Sequence, residues 1–286
     1  MLYKYLFFAE RKIVMGKFDG ILICSDLDDT LISKKKVISN ENISAINYFM
    51  SEGGAFAFAT GRVPLGIKPV LEHIKPNVPV VCYNGGGIFD CEKNEIIWEE
   101  KLDCECVKAV DFAIENFPEI GVEVCGSRDV YFCRMNDILL RQKVYERFPD
   151  NYLGHYEIKE GWNKVLFTIE EDKIEDLRSL MVNSSFSDRF EFIRSSKRYF
   201  EMLPKNVNKG RAMLRLATLL NIDPIKTVGI GDNENDIGLV RCAGVGVAVA
   251  NASNVVKESA DIVTVDCDSH ALKHLICDIE SGIISF

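Results

Sequence analysis

Three aspartates within four residues, Asp26, Asp28 and Asp29, follow the apolar run Ile21–Cys24 after a single serine. Carboxylates this close repel one another, and each raises the free energy of ionising the next. A cation would offset the repulsion, and Mg²⁺ is the natural candidate because it prefers hard oxygen ligands and often bridges phosphate to protein. Alternate carboxylates also allow one to attack while the other carries a proton. The competing interpretation is a polar loop with an aspartate N-cap.

A second acidic segment begins where the apolar run Thr227–Ile230 ends, with the sequence Gly-Asp-Asn-Glu-Asn-Asp over residues 231–236. Asp232, at the end of a strand, could provide a second metal carboxylate. Asp236 lies one helical turn further on and could face the same side to brace the site. A capped helix after a strand remains the alternative for this segment.

Two further segments carry groups that suit an anion. Thr60-Gly61-Arg62 ends the apolar run Ala55–Ala59, and a hydroxyl with exposed backbone N–H groups can hold an anionic oxygen. Lys209 lies at the start of a predicted helix, where an ammonium can neutralise both a carboxylate and a phosphate. Taken singly, an ordinary glycine turn and a solvated lysine are the simpler interpretations.

The elements that must position these residues follow an alternating pattern. Helical spacing over Asn40–Met50 and Gly210–Leu220 separates short apolar runs, which predicts a parallel sheet covered on both faces. Ligands of such sheets bind at the carboxyl ends of the strands. The predicted strands are Ile21–Cys24, Ala55–Ala59, Val78–Cys82, Thr227–Ile230, Gly246–Val249 and Ile262–Val265.

The middle third of the chain has a different rhythm, with adjacent strand-like runs that lack intervening helices. We therefore predict an α+β unit inserted into an α/β core. The expected division is an N-terminal extension at 1–19, a core at 20–86 and 205–286, and a cap at 87–204. Residues 1–14 are expected to be a loosely ordered extension, and linkers near Gly85–Gly87 and Lys205–Asn208 are expected to be hinges.

The composition of the 286-residue chain excludes several classes. Its net charge of -9 argues against a nucleic-acid binder and requires local cations to attract any phosphorylated substrate. The ten cysteines include no Cys-x-x-Cys pair, which disfavours zinc and predicts a reduced, cytoplasmic protein. No segment reaches the ~20 apolar residues of a membrane span, so no membrane association is expected.

Together, the four motifs in this order resemble the haloacid dehalogenase (HAD) superfamily, and in particular its Cof-type sugar-phosphatase branch. The resemblance covers residues from about 20 to 280. It implies a Rossmann-like parallel-sheet core of the α/β class with an inserted α+β cap domain. It also implies a Mg²⁺-dependent phosphatase that acts on small phosphorylated metabolites, such as sugar phosphates, through an aspartyl-phosphate.

The resemblance assigns roles to particular residues. Asp26 would be the nucleophile, and Asp28 would protonate the leaving oxygen and then deprotonate water. Thr60 and Lys209 would complete the catalytic set by holding phosphoryl oxygens. The phosphate-contacting residues would be Thr60, Gly61, Arg62, Lys209, Asn235 and Asn251. The metal residues would be Asp26, Asp28 through its carbonyl, Asp232 and, behind them, Asp236.

The cap would cover the site and contact the leaving group, and a loose basic set near its predicted strand ends supplies candidate contacts. These are Arg128, Tyr131, Arg134, Arg194, Lys197 and Arg198. Alternative functions are a sugar phosphomutase of the same superfamily, a phospho-accepting regulatory module, and a non-catalytic sugar-phosphate sensor. The expected assembly is a monomer or a weak homodimer.

Overall fold

The computed structural model describes residues 16–286, in which the strands form three sheets. The strands are β1 (Leu22–Ser25), β2 (Ala55–Phe58), β3 (Val80–Cys82), β4 (Gly87–Asp90), β5 (Glu95–Glu99), β6 (Gly121–Cys125), β7 (Val130–Arg134), β8 (Lys164–Thr168), β9 (Phe190–Ser196), β10 (Tyr199–Pro204), β11 (Thr227–Gly231), β12 (Val245–Ala248) and β13 (Ile262–Val263). The α-helices are α1 (Asn40–Ser51), α2 (Pro64–Leu71), α3 (Cys106–Asn116), α4 (Asp137–Tyr145), α5 (Ile174–Val182), α6 (Lys209–Leu219), α7 (Ile237–Cys242), α8 (Asn254–Ser259) and α9 (Ala271–Glu280).

The core sheet is parallel throughout, with the strand order β13-β12-β11-β1-β2. Successive side chains of a strand point to opposite faces, so each face of β1 needs its own cover. Leu22 and Cys24 belong to the buried cluster that contains Met213 of α6. Ile23 belongs to the cluster that contains Phe49 of α1. Both faces are thus covered by helices, and the predicted α/β class with a Rossmann-like sheet is confirmed.

The strand order reverses beside β1. The chain leaves β1 for β2 on one side and later returns to β11 on the other side. In sheets of this type, the carboxyl ends of the strands at such a reversal form a crevice. Asp26 and Asp232 directly follow the two strands that flank it, so the topology itself brings the two acidic segments together.

A second sheet lies within the segment predicted as the cap, and we call it the cap sheet. It is antiparallel and has the order β7-β6-β8-β10-β9. The side chains along each of its strands point alternately to a face that is covered by helices and to the opposite face. Val165 and Phe167 of β8 belong to the buried cluster that includes Val110 of α3 and Leu177 of α5. Because the period is two, Lys164 lies on the opposite face of β8, together with its neighbours from β6 and β10.

The β4–β5 hairpin lies within the segment predicted to form the cap. The predicted division assigned β4 and β5 to the cap, but they form a separate antiparallel sheet with β3. Ile88 and Trp98 pack into the buried cluster of α6, and the Arg215 guanidinium lies 4.3 Å from the Trp98 ring centroid. This packing favours a division in which the hairpin belongs with the core. β3 is joined to the end of β2 by a parallel bridge between Ala59 and Val81.

The predicted extension at 1–14 lies outside the described residues, but residues 16–19 pack against the core. Phe18 is buried, and its ring centroid lies 4.8 Å from that of Phe49. Lys17 Nζ lies 2.6 Å from a carboxylate oxygen of Glu280 in α9. Within residues 16–286, no helix is both long and apolar enough to cross a membrane.

The two predicted hinge segments touch each other at Gly85. Its φ is +101°, and a Cβ there would lie 2.2 Å from the main-chain oxygen of Asn208. We expect Gly85→Ala to lower the free energy of unfolding by roughly 2 kcal/mol or more, because both the backbone conformation and the close approach exclude a side chain. Denaturant unfolding measures the change. Gly86→Ala is the matched control, since Gly86 has an ordinary φ of -77°; equal losses in the two variants would contradict this explanation.

Candidate active site

A buried lysine lies at the centre of the candidate site. Lys209 begins α6, where the Asn208 side chain caps the helix by accepting from Arg211 N. Its Nζ lies 2.5 Å from Asp26 Oδ1 and 2.6 Å from Asp236 Oδ1. Burial alone would lower the pKa of Lys209, but the carboxylates of Asp236 and Asp26 raise it above its ordinary value. Lys209 is therefore a fixed positive charge between two carboxylates.

Three carboxylates share this small volume. One ligand oxygen from each of Asp26, Asp232 and Asp236 can be chosen so that all lie within 4.8 Å of one another. Burial and the nearby charge of Asp236 raise the pKa of Asp26 to about 7. Burial and the charge of Asp26 raise the pKa of Asp232 to about 9, although Thr30 Oγ1 donates a hydrogen bond to it. One lysine does not compensate three acidic groups, so the cluster suits a divalent cation with oxygen ligands.

Asp236 organises the loop around the cluster. Its Oδ2 accepts hydrogen bonds from the main-chain N–H groups of Asp232 and Asn233, at 3.0 and 3.1 Å. Its Oδ1 accepts from Lys209. A Cβ on Gly231 would lie 2.4 Å from Asp236 Cβ, so this approach requires glycine. Both oxygens of Asp236 already have partners, which agrees with a bracing role.

The Thr60-Gly61-Arg62 segment lies across the crevice from this cluster. Thr60 is buried, and its Oγ1 accepts from Arg62 N at 3.1 Å. Arg62 donates from Nε and Nη2 to the two carboxylate oxygens of Asp28, each at 3.0 Å. Lys36 Nζ lies 3.6 Å from both Asp28 Oδ1 and Asp29 Oδ1. The structure therefore places positive charge beside the second aspartate of the opening motif.

The two predicted asparagines have different surroundings. Asn235 Nδ2 donates to Asn84 Oδ1 at 2.9 Å, and Asn235 lines the cavity described next. Asn251 Nδ2 donates to the main-chain oxygen of Asp29 at 2.7 Å, and its Oδ1 accepts from Cys267 N at 2.9 Å. Asn251 does not line the cavity; its hydrogen bond to Asp29 stabilises the loop that follows Asp28.

A cavity of about 590 Å³ lies between the core crevice and the cap sheet. Of the predicted core residues, it is lined by Asp26, Asp28, Thr60, Gly61, Arg62, Asp232 and Asn235. Lys209 and Asp236 lie beneath its floor, in contact with Asp26 and with the Asp232 loop, respectively. The sequence motifs thus converge on one space, as expected from their positions at strand ends.

Only two of the six predicted cap contacts line this cavity, Lys197 and Arg198. Tyr131 instead donates to Glu160, and Arg194 forms an ion pair with Glu175 at 2.5 Å. The remaining two also lie away from the cavity: Arg128 lines a separate one, and Arg134 donates to the Pro118 carbonyl.

Sequence reasoning missed the polar residues of the inner cap face. Lys164 Nζ donates to the Gly61 carbonyl at 2.9 Å and forms a buried ion pair with Glu201 Oε2 at 3.0 Å. Glu201 also accepts from Asn84 Nδ2 at 2.8 Å. Glu123 lies on the same sheet face and lines the cavity. The alternation of polar and apolar residues in β6, β8 and β10 could have indicated these residues, but the same alternation is typical of a strand with one solvated face.

A parallel core sheet, an antiparallel sheet inserted between two of its strands, and an acidic cluster at the strand ends define an α/β protein with a candidate active site. The chain matches the family model of haloacid dehalogenase-like hydrolases over residues 23–276, and it belongs to that family.

Two phosphatases and one solved structure illustrate what the chain is similar to. The 5-amino-6-(5-phospho-D-ribitylamino)uracil phosphatase YcsE of Bacillus subtilis is 28% identical, with 85% of this chain and 89% of the relative covered. The phosphoglycolate phosphatase of Archaeoglobus fulgidus is 26% identical, with coverages of 87% and 92%. The solved structure of the HAD subclass IIB sugar phosphatase BT4131 superimposes with a TM-score of 0.77 at 21% identity, covering 92% of this chain and all 100% of that one. The family match and these relatives support the prediction of a phosphatase.

Proposed function

We propose that this phosphatase is Mg²⁺-dependent and hydrolyses small phosphorylated metabolites, sugar phosphates in particular, through an aspartyl-phosphate on Asp26. The observation that carries the proposal is the setting of Asp26. It directly follows β1, which lies between β11 and β2; it is held by a fully buried lysine at 2.5 Å, and it lines the cavity. The structural similarity to BT4131, which is described as a sugar phosphatase, supports a sugar phosphate as substrate.

The donor set fits a magnesium ion. Asp26, Asp232 and the main-chain carbonyl of Asp28 would supply hard oxygen ligands, and Asp236 would brace them. Burial, together with the charges of the neighbouring carboxylates, raises the pKa values of Asp26 and Asp232. A bound Mg²⁺ would neutralise charge on the phosphoryl oxygens and on these carboxylates.

In the proposed first step, a carboxylate oxygen of Asp26 attacks phosphorus. A bond forms between that oxygen and phosphorus, the bond between phosphorus and the ester oxygen breaks, and the leaving oxygen takes a proton from Asp28. Thr60 and the main-chain N–H of Gly61 hold phosphoryl oxygens, while Lys209 fixes the orientation of Asp26. In the second step, Asp28 removes a proton from water, which attacks phosphorus and releases phosphate and Asp26.

The proton-carrying role requires Asp28 to exchange partners. Arg62 donates hydrogen bonds to both carboxylate oxygens of Asp28. Arg62 is nearly buried, with 9% of its side chain exposed, so it lies within the cavity wall. We infer that a substrate phosphate competes for the Arg62 guanidinium, frees one oxygen of Asp28 and so permits its protonation.

Phosphate release gives the direct test of this proposal. We expect the protein to release inorganic phosphate from a generic aryl phosphate and from hexose phosphates. Chelation by EDTA should remove the activity, because the acidic cluster lacks its counter-charge without the metal. Added Mg²⁺ should restore the activity. Full activity in EDTA would contradict metal dependence, and isomerised sugar phosphate without released phosphate would indicate the mutase alternative.

Metal binding should also change stability in a pH-dependent way. The pKa values of Asp26 and Asp232 are raised by folding, so the folded protein binds more protons than the unfolded chain between about pH 4 and pH 9. These two groups therefore make the metal-free protein less stable as the pH rises through this window. Since Mg²⁺ binds the ionised carboxylates, we expect it to raise Tm by several degrees at about pH 8 and by less at about pH 5.

Scanning calorimetry with and without Mg²⁺ measures this difference. Asp232→Asn should lose most of the Mg²⁺-induced shift, whereas Asp29→Asn, a neighbouring half-exposed carboxylate, should keep it. An equal shift at both pH values, or an unchanged shift in Asp232→Asn, would contradict the assignment.

A further inference from the structure

The candidate cavity has a surplus of hydrogen-bond acceptors. Four buried side-chain atoms that belong to its lining residues have no hydrogen-bond partner among residues 16–286. They are Glu123 Oε2, Gln142 Oε1, Ser195 Oγ and Asn235 Oδ1. A carboxylate and two amide oxygens accept hydrogen bonds without donating. Buried polar atoms normally have partners, so this lining suits a ligand that donates several hydrogen bonds.

Glu123 is the most deeply placed of these groups. It lies in the middle of β6 with 1% of its surface exposed. Its Oε1 accepts a weak hydrogen bond from Cys125 Sγ at 3.4 Å, and its Oε2 has no partner in the described part of the chain. Burial raises the pKa of Glu123 to about 7, with the charge of Lys164 opposing the rise. A hydrogen bond donated by a ligand hydroxyl group would replace part of the hydration that this carboxylate has lost.

The other charges of the inner cap face are already paired. Lys164 uses Nζ for the Gly61 carbonyl and for Glu201 Oε2. Glu201 accepts in addition from Asn84, which is itself held by Asn235. These contacts fasten the cap sheet to the loop of Thr60 and Gly61. They leave Glu123 as the buried carboxylate of this face that is free to receive a ligand.

The position of Glu123 matches the expected place of the leaving group. Glu123 lines the same cavity as Asp26, Asp28 and Thr60, but it enters from the cap side. A phosphate held at Thr60 therefore directs the rest of its ester toward the inner cap face. Gln142, from α4, lines the cavity as well.

We propose that Glu123 Oε2, assisted by Gln142 Oε1, accepts hydrogen bonds from hydroxyl groups of the leaving group, so that the enzyme selects monophosphates of polyhydroxylated compounds. This inference rests on the proposed function and assigns its specificity to named atoms. An apolar ester of the same length would leave these acceptors buried and unpaired, and sites built to bind a hydroxyl discriminate strongly against analogues that lack it.

The experiment compares three substrates by kcat/KM: a hexitol monophosphate, hexyl phosphate and an aryl phosphate. We expect the wild-type protein to favour the hexitol ester over hexyl phosphate by at least about 100-fold. Glu123→Gln should lower kcat/KM for the hexitol ester by about 10- to 100-fold and change the other two little. Glu119→Gln is the matched control, since Glu119 is an exposed cap glutamate paired with Lys173; it should leave all three unchanged.

The outcomes separate the inference from the proposed function. If the wild-type protein releases phosphate from none of the three esters, the proposed function fails and the inference fails with it. If it cleaves hexyl and hexitol phosphates equally, or if Glu123→Gln lowers all three rates together, the function stands and the inference is overturned. Should Glu123→Gln fold poorly, Gln142→Ala on α4 provides the same test, with a selective loss for the hexitol ester expected.

Discussion

Asp26→Asn is expected to abolish phosphate release, with kcat reduced on the order of 10⁴-fold or more. The amide keeps the shape of the side chain, but it cannot form the acyl phosphate. Continuous assay of phosphate release from an aryl phosphate at saturating Mg²⁺ measures the loss. Because Lys209 would keep its contact with Asp236, the fold should be retained, and thermal unfolding should show a cooperative transition.

The neighbouring carboxylate offers a matched control for this variant. Asp29 lies three residues from Asp26, has a positive φ of 58° that asparagine tolerates, and is half-exposed beside Lys36. Asp29→Asn should therefore keep most of the activity. Comparable losses in the two variants would show that the whole loop, and not the Asp26 carboxylate, is needed, and high activity in Asp26→Asn would contradict the nucleophile assignment.

Lys209→Met is expected to impair both activity and stability. Removing one partner of a buried ion pair leaves charge uncompensated, and such changes cost about 3–5 kcal/mol. Here Asp26 and Asp236 would both lose a contact of 2.5–2.6 Å. We expect kcat to fall at least about 10³-fold because the nucleophile loses its orientation and the phosphoryl group loses a nearby cation. Urea unfolding in EDTA measures the stability term.

Lys205→Met is the control for this second prediction. Lys205 is a half-exposed linker lysine, with Nζ 3.8 Å from Glu191, and exposed pairs contribute only about 0–1 kcal/mol. Added Mg²⁺ should recover part of the stability lost in Lys209→Met, because a cation replaces a cation. A Lys209→Met protein as stable as Lys205→Met without metal would show that the acidic cluster is not held together by this lysine.

The convergence of the core residues could be predicted because the residues with reactive or charged side chains lie at strand ends. Asp26 and Asp232 each follow a short apolar run, and parallel packing brings the ends of such strands to one edge. Lys209 is recognisable only by its position at the start of a helix. What identified these residues as a set was their order along the chain rather than any one segment.

The cap contacts could not be predicted in the same way. The candidates were basic residues such as Arg128 and Arg134, each with a solvated surface charge as the simpler interpretation, whereas the structure places Glu123 and Lys164 in the cavity wall. A strand with alternating polar residues reads as half-solvated, and only the docking of the cap onto the core turns that face into a buried surface. The packing of the β4–β5 hairpin against α6 could not be predicted for a related reason, since nothing in the local sequence shows that Trp98 packs against Arg215.

The most direct test of the central claim is to trap the phosphoryl group on Asp26. Protein mixed with labelled phosphate ester is quenched in acid, digested and mapped by mass spectrometry, using both the wild type and Asp28→Asn. With an activated aryl phosphate, whose leaving oxygen needs no proton, we expect the label on the peptide that contains Asp26. The amount should be larger in Asp28→Asn, because its intermediate lacks the base for hydrolysis. Hydroxylamine should release the label. Phosphate release at the normal rate with no labelled Asp26 in either protein would contradict the account.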